Sequence, residues 1–250
     1  MNVVQTFHDK VVELLDDITN TQQERIAAAA TILTDTVARD GLIYVFGSGG
    51  HSYIASEDMA GRAGGLAPVH PVFDPGISVS FGGRRSSAIE RLPGYAPAVL
   101  GVYPITSEDC IVIVNAYGIN SATIDTALWA REKGIQSVGI TSPGFSERVP
   151  EDHPARHPSG HNLHDVVDAF VDSKMPEKDA VLQFSGLAPW VSPVSTIVNS
   201  FVIQSLVGEV VKLLLERGIT PPVFTSANIP GGDAANKELM EKYAPRIKFL

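Results

Sequence analysis

Two short, continuous apolar runs, Leu42-Ile43-Tyr44-Val45-Phe46 and Cys110-Ile111-Val112-Ile113-Val114, decide the class of fold. Runs of this length without alternation mark strands covered on both faces, as in a parallel sheet between helical layers. Each is followed by a polar, glycine-containing loop, Gly47–Ser52 and Asn115–Asn120, and then by a helical stretch. The second stretch, Ser121–Lys133, closes at Gly134 and leads into another buried strand, Ser137–Ile140. Strand, loop, helix, strand is the βαβ unit, so the sheet is expected to be largely parallel and the domain α/β.

The rest of the chain fits around that unit. Two helices open it, over Val3–Ile18 and Gln22–Arg39, the second stopped by Gly41. A helical stretch follows Ser52 and runs to Arg62, and further strands are expected over Val166–Val171 and Ala180–Phe184. Pro193–Arg217 reads as a long helix ending at Gly218. The uncharged stretch Gly186–Gly208 carries a polar group on nearly every turn from Ser192 to Ser205, and Pro189 and Pro193 break its start. It therefore reads as a helix buried in a core or subunit interface rather than as a membrane span. Ser142–His164, with four prolines and four histidines, is expected to be a functional or mobile loop. The whole, residues 1–250, is expected to be one domain: N-terminal helices over 1–40, an α/β core over 41–218 and a tail over 219–250.

Charge and cysteine usage narrow the partners. The 19 Lys+Arg against 28 Asp+Glu leave a net charge of −9, which argues against general nucleic-acid or anionic-membrane binding but leaves room for a local basic pocket. The lone Cys110 lies inside an apolar run and reads as a core residue, which suits a reducing cytoplasm. The N-terminus is acidic and amphipathic, unlike a signal peptide, so a cytoplasmic location is expected.

In an open parallel sheet, ligands bind beyond the C-terminal ends of the strands. The loops after Phe46, Val114 and Ile140 meet there, which makes Ser48, Gly49, Gly50, His51, Ser52, Asn115, Asn120, Ser121 and Thr141 candidate binding residues. The first loop lets backbone N–H groups approach a ligand, yet it is neither a Walker loop nor a dinucleotide fingerprint, since Ser52 stands where a third glycine would be. Glu57 and Asp58 follow about two turns on. Either could be a general base, and either could be part of a solvated helix face; Arg62, one turn after Asp58, can pair with it. His51 could donate a proton or contact a hydroxyl. Arg84-Arg85-Ser86-Ser87 is an anion-binding candidate or an exposed basic loop. His153, His157, His161 and His164 lack the tight spacing of a metallohydrolase, and no metal or other cofactor is expected.

Together these segments resemble the sugar-isomerase (SIS) domain family, and within it a group of bacterial proteins related to phosphoheptose isomerase. The resemblance is carried by Gly49-Gly50-His51-Ser52 with Glu57 and Arg62-Ala63-Gly64-Gly65-Leu66, by Ser86-Ser87-Ala88-Ile89-Glu90-Arg91-Leu92, and by Arg156-His157-Pro158-Ser159-Gly160. It continues through Pro221-Pro222-Val223-Phe224, Ser226-Ala227-Asn228 and Gly231-Gly232-Asp233, so that it covers nearly the whole chain.

The resemblance implies a three-layer αβα sandwich with a five-stranded parallel sheet of flavodoxin-like type, assembled as a homodimer or homotetramer with sites near subunit interfaces. It also implies a sugar derivative as the small-molecule partner and aldose–ketose isomerisation through an enediol. The family's catalytic glutamate falls on Asp58 or the neighbouring Glu57, and Glu209 stands near the place of its partner histidine. The matching motifs add Arg62, Ser86, Ser87, Glu90, His157 and Asn228 to the binding set. The family's phosphate loop, Ser-x-Ser-Gly-x-Ser/Thr, is replaced here by Asn115-Ala116-Tyr117-Gly118-Ile119-Asn120-Ser121. The substrate is therefore expected to carry a different or differently placed anion, or to be unphosphorylated. The alternatives to an isomerase are a non-catalytic sugar-binding module and a lyase or deaminase acting on an amino sugar.

Overall fold

In a computed structural model that describes residues 2–250, both apolar runs become strands at the centre of one sheet. Its strands are β1 (Ile43–Gly47), β2 (Val69–Pro71), β3 (Cys110–Val114), β4 (Gln136–Thr141) and β5 (Ala169–Asp172), in the order β2-β1-β3-β4-β5. All are parallel, with Ile43 beside Cys110 and Gly47 beside Val114. This is the flavodoxin-like order, whose switch point lies between β1 and β3. A separate antiparallel pair is made by β6 (Ala180–Leu182) and β7 (Val191–Pro193).

The helices are α1 (Val3–Thr21), α2 (Gln23–Ala38), α3 (Tyr53–Met59), α4 (Gly83–Ile89), α5 (Tyr95–Leu100) and α6 (Ser121–Glu132). They continue with α7 (Pro143–Ser146), α8 (Leu163–Val166), α9 (Ser195–Glu216) and α10 (Gly232–Tyr243). Strand side chains alternate between faces and so feed two cores. Ile43, Val45, Cys110, Val112 and Val138 pack against α2, α3 and α9, whereas Tyr44, Phe46, Ile111 and Ile113 pack against α5, α6, α8 and the C-terminal segment. The result is the three-layer αβα sandwich. Burial pushes the Cys110 thiol up to about 12, so it is a packing group rather than a nucleophile.

By length and composition α9 could cross a membrane. In the fold, Val198, Val202, Leu206, Val210 and Leu214, spaced four apart, are buried in the core shared with α2 and the sheet. Leu215 stays 60% exposed.

Several boundaries differ from the sequence expectation. The sheet's fifth strand is Val69–Pro71, a three-residue edge too short to stand out from its Gly- and Pro-rich surroundings. Ala180–Phe184 is a strand only to Leu182, and it pairs outside the main sheet. Val166–Val171 splits into the end of α8 and β5. The helix after the first loop ends at Met59, short of Arg62, because Ala60 is extended and Gly61 adopts φ +60°. The long helix begins at Ser195, since Pro193 belongs to β7.

The Ser142–His164 loop closes around a single side chain. Arg156 donates from Nε and Nη2 to Val149 O (3.2 and 2.9 Å) and from Nε to Pro150 O (3.1 Å). Its Nη1 reaches Asn162 Oδ1 (2.9 Å) and Gly160 O (3.4 Å), and Nη2 also meets Ser146 O. One planar cation thus satisfies carbonyls from both arms of the loop.

Candidate functional site

At the C-terminal end of β1 the first loop turns so tightly that a Cβ on Gly47 would stand 1.9 Å from Ser52 O. Gly47 N–H donates to Ser56 Oγ (2.8 Å), and that hydroxyl donates to Val45 O (3.1 Å), which locks α3 to the strand. Ser48 points inward and shares a hydrogen bond with Thr123 Oγ1 (2.8 Å). Gly49 and Gly50 then run past other groups with no room to spare. A Cβ on Gly49 would meet Asn115 Nδ2 at 2.6 Å, and one on Gly50 would meet Val79 Cγ1 at 2.7 Å.

Beside these glycines lies a cavity of about 320 Å³. Gly49, Gly50, His51 and Ser52 form one side, and Ser86, Ser87 and Glu90 form a second. Asn115, Tyr117 and Asn120 form a third. The wall is closed by Asp179 and Ser195, which the sequence reading did not include.

Glu90 is the best-placed carboxylate in this cavity. Its Oε2 accepts the Gly50 N–H at 3.2 Å. Burial pushes its carboxyl above the ordinary carboxylate value, against the opposing pull of the Gly50 N–H and the Arg91 charge. Such a group is suited to taking and returning a proton. The Tyr117 hydroxyl is raised by burial too, and so remains protonated and available as a donor. Asp179, at φ +57°, accepts Ser195 N–H (2.8 Å), Val194 N–H (3.1 Å) and Ser195 Oγ–H (2.9 Å), and so caps the start of α9 at the cavity wall.

A second cavity, of about 480 Å³, adjoins the first and shares Glu90, Tyr117 and Asn120 with it. Arg91, Arg148 and His153 contribute to its lining, and Phe145 packs edge-on against Tyr117 with ring centroids 4.5 Å apart.

The other expected residues take other places. Ser121 and Thr141 lie behind the second loop, buried, with hydroxyls that have no hydrogen-bond partner. Asn120, which does line the cavity, also donates to Ala155 O (3.3 Å). Glu57 is exposed on α3. Asp58 pairs with Arg62 and accepts Gln204 Nε2–H at 3.0 Å, tying α3 to α9. Glu209 lies in a separate cavity between α2 and α9, where it holds Lys212 at 2.7 Å. Ser121, Thr141, Glu57, Asp58, Arg62 and Glu209 do not line the first-loop cavity within one chain. His157 bridges Asp125 (3.0 Å) and Ser159 (2.7 Å), and Asn228 N–H donates to Ser226 Oγ (3.2 Å) in the C-terminal segment. Among the described residues no group of three or more His, Cys, Asp and Glu side chains is arranged to hold a metal ion.

Against known proteins, the SIS-domain family profile matches residues 6–142. The UPF0309 protein of Geobacillus thermodenitrificans is 36% identical over 248 residues, spanning 99% of this chain and 98% of its own length. Among solved structures, the phosphoheptose isomerase of Francisella tularensis aligns with a TM-score of 0.53 at 12% identity, over 84% of this chain and 97% of that one. That of Neisseria gonorrhoeae gives a TM-score of 0.52 at 12% identity, over 83% and 94%. At such identity the likeness is one of fold.

Proposed function

We propose that this chain, which belongs to the SIS-domain family, binds a sugar derivative in the first-loop cavity and interconverts its aldose and ketose forms through an enediol, with Glu90 as the base. The observation that carries this reading is Glu90 itself, a half-buried carboxylate held by the Gly50 N–H in a cavity of hydroxyl, amide and backbone donors. Burial raises its proton affinity toward what a general base needs.

In the proposed reaction the open-chain aldose lies along the first loop with C2 facing Glu90. The carboxylate takes the C2 proton, and the electron pair moves into a C1–C2 double bond as the carbonyl oxygen at C1 is protonated. The enediol's O2–H then gives up its proton, and Glu90 returns a proton to C1, leaving a ketose. The groups at the cavity able to serve the oxygens are His51 and the Tyr117 hydroxyl. Glu57 and Asp58 are replaced as base in this scheme, because neither faces the cavity.

The test is proton NMR in deuterated water, with the protein incubated with aldoses and their terminal phosphates and acids. Loss of the C2 proton signal together with appearance of the ketose supports the reading. If sugars bind but none exchanges its C2 proton, isomerisation is ruled out and a binding module is left.

A further inference from the structure

The two cavities that meet at Glu90 differ in their cations. The inner one, on the first loop, has Glu90 and Asp179 as its acidic groups and His51 as its single basic side chain, with no lysine or arginine in its lining. The outer one sets Arg91, Arg148 and His153 against two acids, Glu177 and the shared Glu90, beside an apolar wall that includes Tyr117 and Phe145. Carboxylates and neutral donors suit sugar hydroxyls. With no arginine or lysine in the lining to offset them, the same carboxylates would repel a phosphate or carboxylate held among them.

Two N–H groups of the second loop are turned inward. In a phosphate-binding loop, backbone N–H groups point at the anion. Here Tyr117 N–H and Gly118 N–H donate instead to Asn115 Oδ1, at 3.1 and 2.9 Å. Those donors are already engaged inside the loop. Arg84 and Arg85, exposed on α4, line neither cavity, and the arginines that do line one are those of the neighbour. Arg148 is 73% exposed and its acidic partner, Glu177, stands at 4.0 Å, so its guanidinium is free to turn toward a ligand. Arg91 lies close enough for its charge to oppose the rise in Glu90's proton affinity. Two guanidinium forks on one cavity are well matched to an oxyanion, with the Tyr117–Phe145 wall beside its carbon atoms.

We infer that the substrate is a sugar derivative whose ring or open chain occupies the inner cavity and whose oxyanionic substituent, a phosphate or a carboxylate, is held in the outer cavity by Arg91 and Arg148. The inference rests on the sugar-binding reading of the inner cavity. It moves the anion away from the second loop to a compartment on the far side of Glu90 and Tyr117.

The experiment is calorimetric titration of the wild type, the Arg91→Gln/Arg148→Gln double variant and Gly50→Val, each first checked for an unchanged circular dichroism spectrum. The ligands are free hexoses, pentoses and heptoses, their terminal phosphates, the corresponding uronic acids, and phenyl phosphate, which can fill the outer cavity alone. The expected result is that one anionic class binds the wild type at least about tenfold tighter than the matching free sugar, as loss of charge-assisted hydrogen bonds would predict. That advantage disappears in the double variant, while the free sugar's affinity stays the same. Whether phosphates or uronic acids show it identifies the anion. Phenyl phosphate should weaken about tenfold in the double variant and be indifferent to Gly50→Val. Sugar binding without an arginine-dependent advantage overturns the inference and leaves the sugar reading standing. Arginine-dependent phenyl phosphate binding with no binding of any sugar overturns the sugar reading and leaves the oxyanion site.

Discussion

Gly50 donates its backbone N–H to Glu90 Oε2 at 3.2 Å, across 40 residues of sequence. The bond fixes a carboxylate against a glycine loop where a ligand can approach both. If Glu90 is the base, Glu90→Gln keeps a hydrogen-bond acceptor for Gly50 and loses the proton carrier. Turnover should fall by roughly 10²–10⁴-fold with ligand affinity nearly unchanged. Glu57→Gln, on an exposed face of α3, should leave turnover within about twofold, since surface changes of this kind are usually small. Rates of C2 proton exchange in the two variants check this, and a reversed order would return the role to Glu57.

The raised proton affinity of Glu90 has consequences of opposite sign for rate and stability. The base works ionised, so the acid limb of the rate profile should lie above the ordinary carboxylate value of 4.5. The folded protein also holds this proton more tightly than the unfolded chain. Stability is therefore lost as pH rises from the unfolded value through the folded one. Glu90→Gln should accordingly melt higher than the wild type at pH 7, and the gap should close as pH falls through the folded value to 4.5. Melting curves at stepped pH test it, and a gap that widens toward acid would contradict the assignment.

The first loop offers a contrast between two glycines. A Cβ on Gly47 would strike the Ser52 carbonyl, a backbone atom that cannot turn aside, whereas one on Gly50 would meet the Val79 and Ser86 side chains. Gly47→Ala should cost more than about 2 kcal/mol, toward the upper part of the range for overpacking. Gly50→Ala should fold with a smaller loss and show its effect in ligand affinity. Denaturant midpoints together with titrations separate the two.

Asp179 stands at the cavity wall and at the start of α9 together. Asp179→Ala should destabilise by about 1–2 kcal/mol through loss of the cap, and Asp179→Asn should restore most of it. If ligand binding recovers along with stability in Asp179→Asn, the residue acts by holding the wall. If binding stays low, its charge contacts the ligand.

Much of the architecture was legible because buried parallel strands are written as unbroken apolar runs, as in Ile43–Gly47 and Cys110–Val114. β2 was not, since three residues between turns carry no period. The loops at the strand ends were also legible, and Gly49–Ser52, Asn115 and Asn120 do meet at one cavity. The side chains that complete it come from far along the chain. Asp179 precedes a short strand with no local pattern to mark it, and only folding brings it to Ser195. Helix spacing put Asp58 one turn before Arg62, and the two do pair, but it could not show that the pair faces α9 rather than the ligand. Glu90 appeared as a binding residue within a motif; its contact with Gly50, which suggests more, is a tertiary one.

The Arg156 hub has a bearing on proteolysis. Trypsin needs an extended, accessible segment around its target residue, and Arg156 has its guanidinium wrapped by the carbonyls of its own loop. Arg148, eight positions earlier and 73% exposed, has no such protection. Brief digestion should therefore cut at Arg148 and spare Arg156. In Arg156→Lys a single ammonium cannot replace the planar fork, so the arms separate and position 156 is cut along with Arg148.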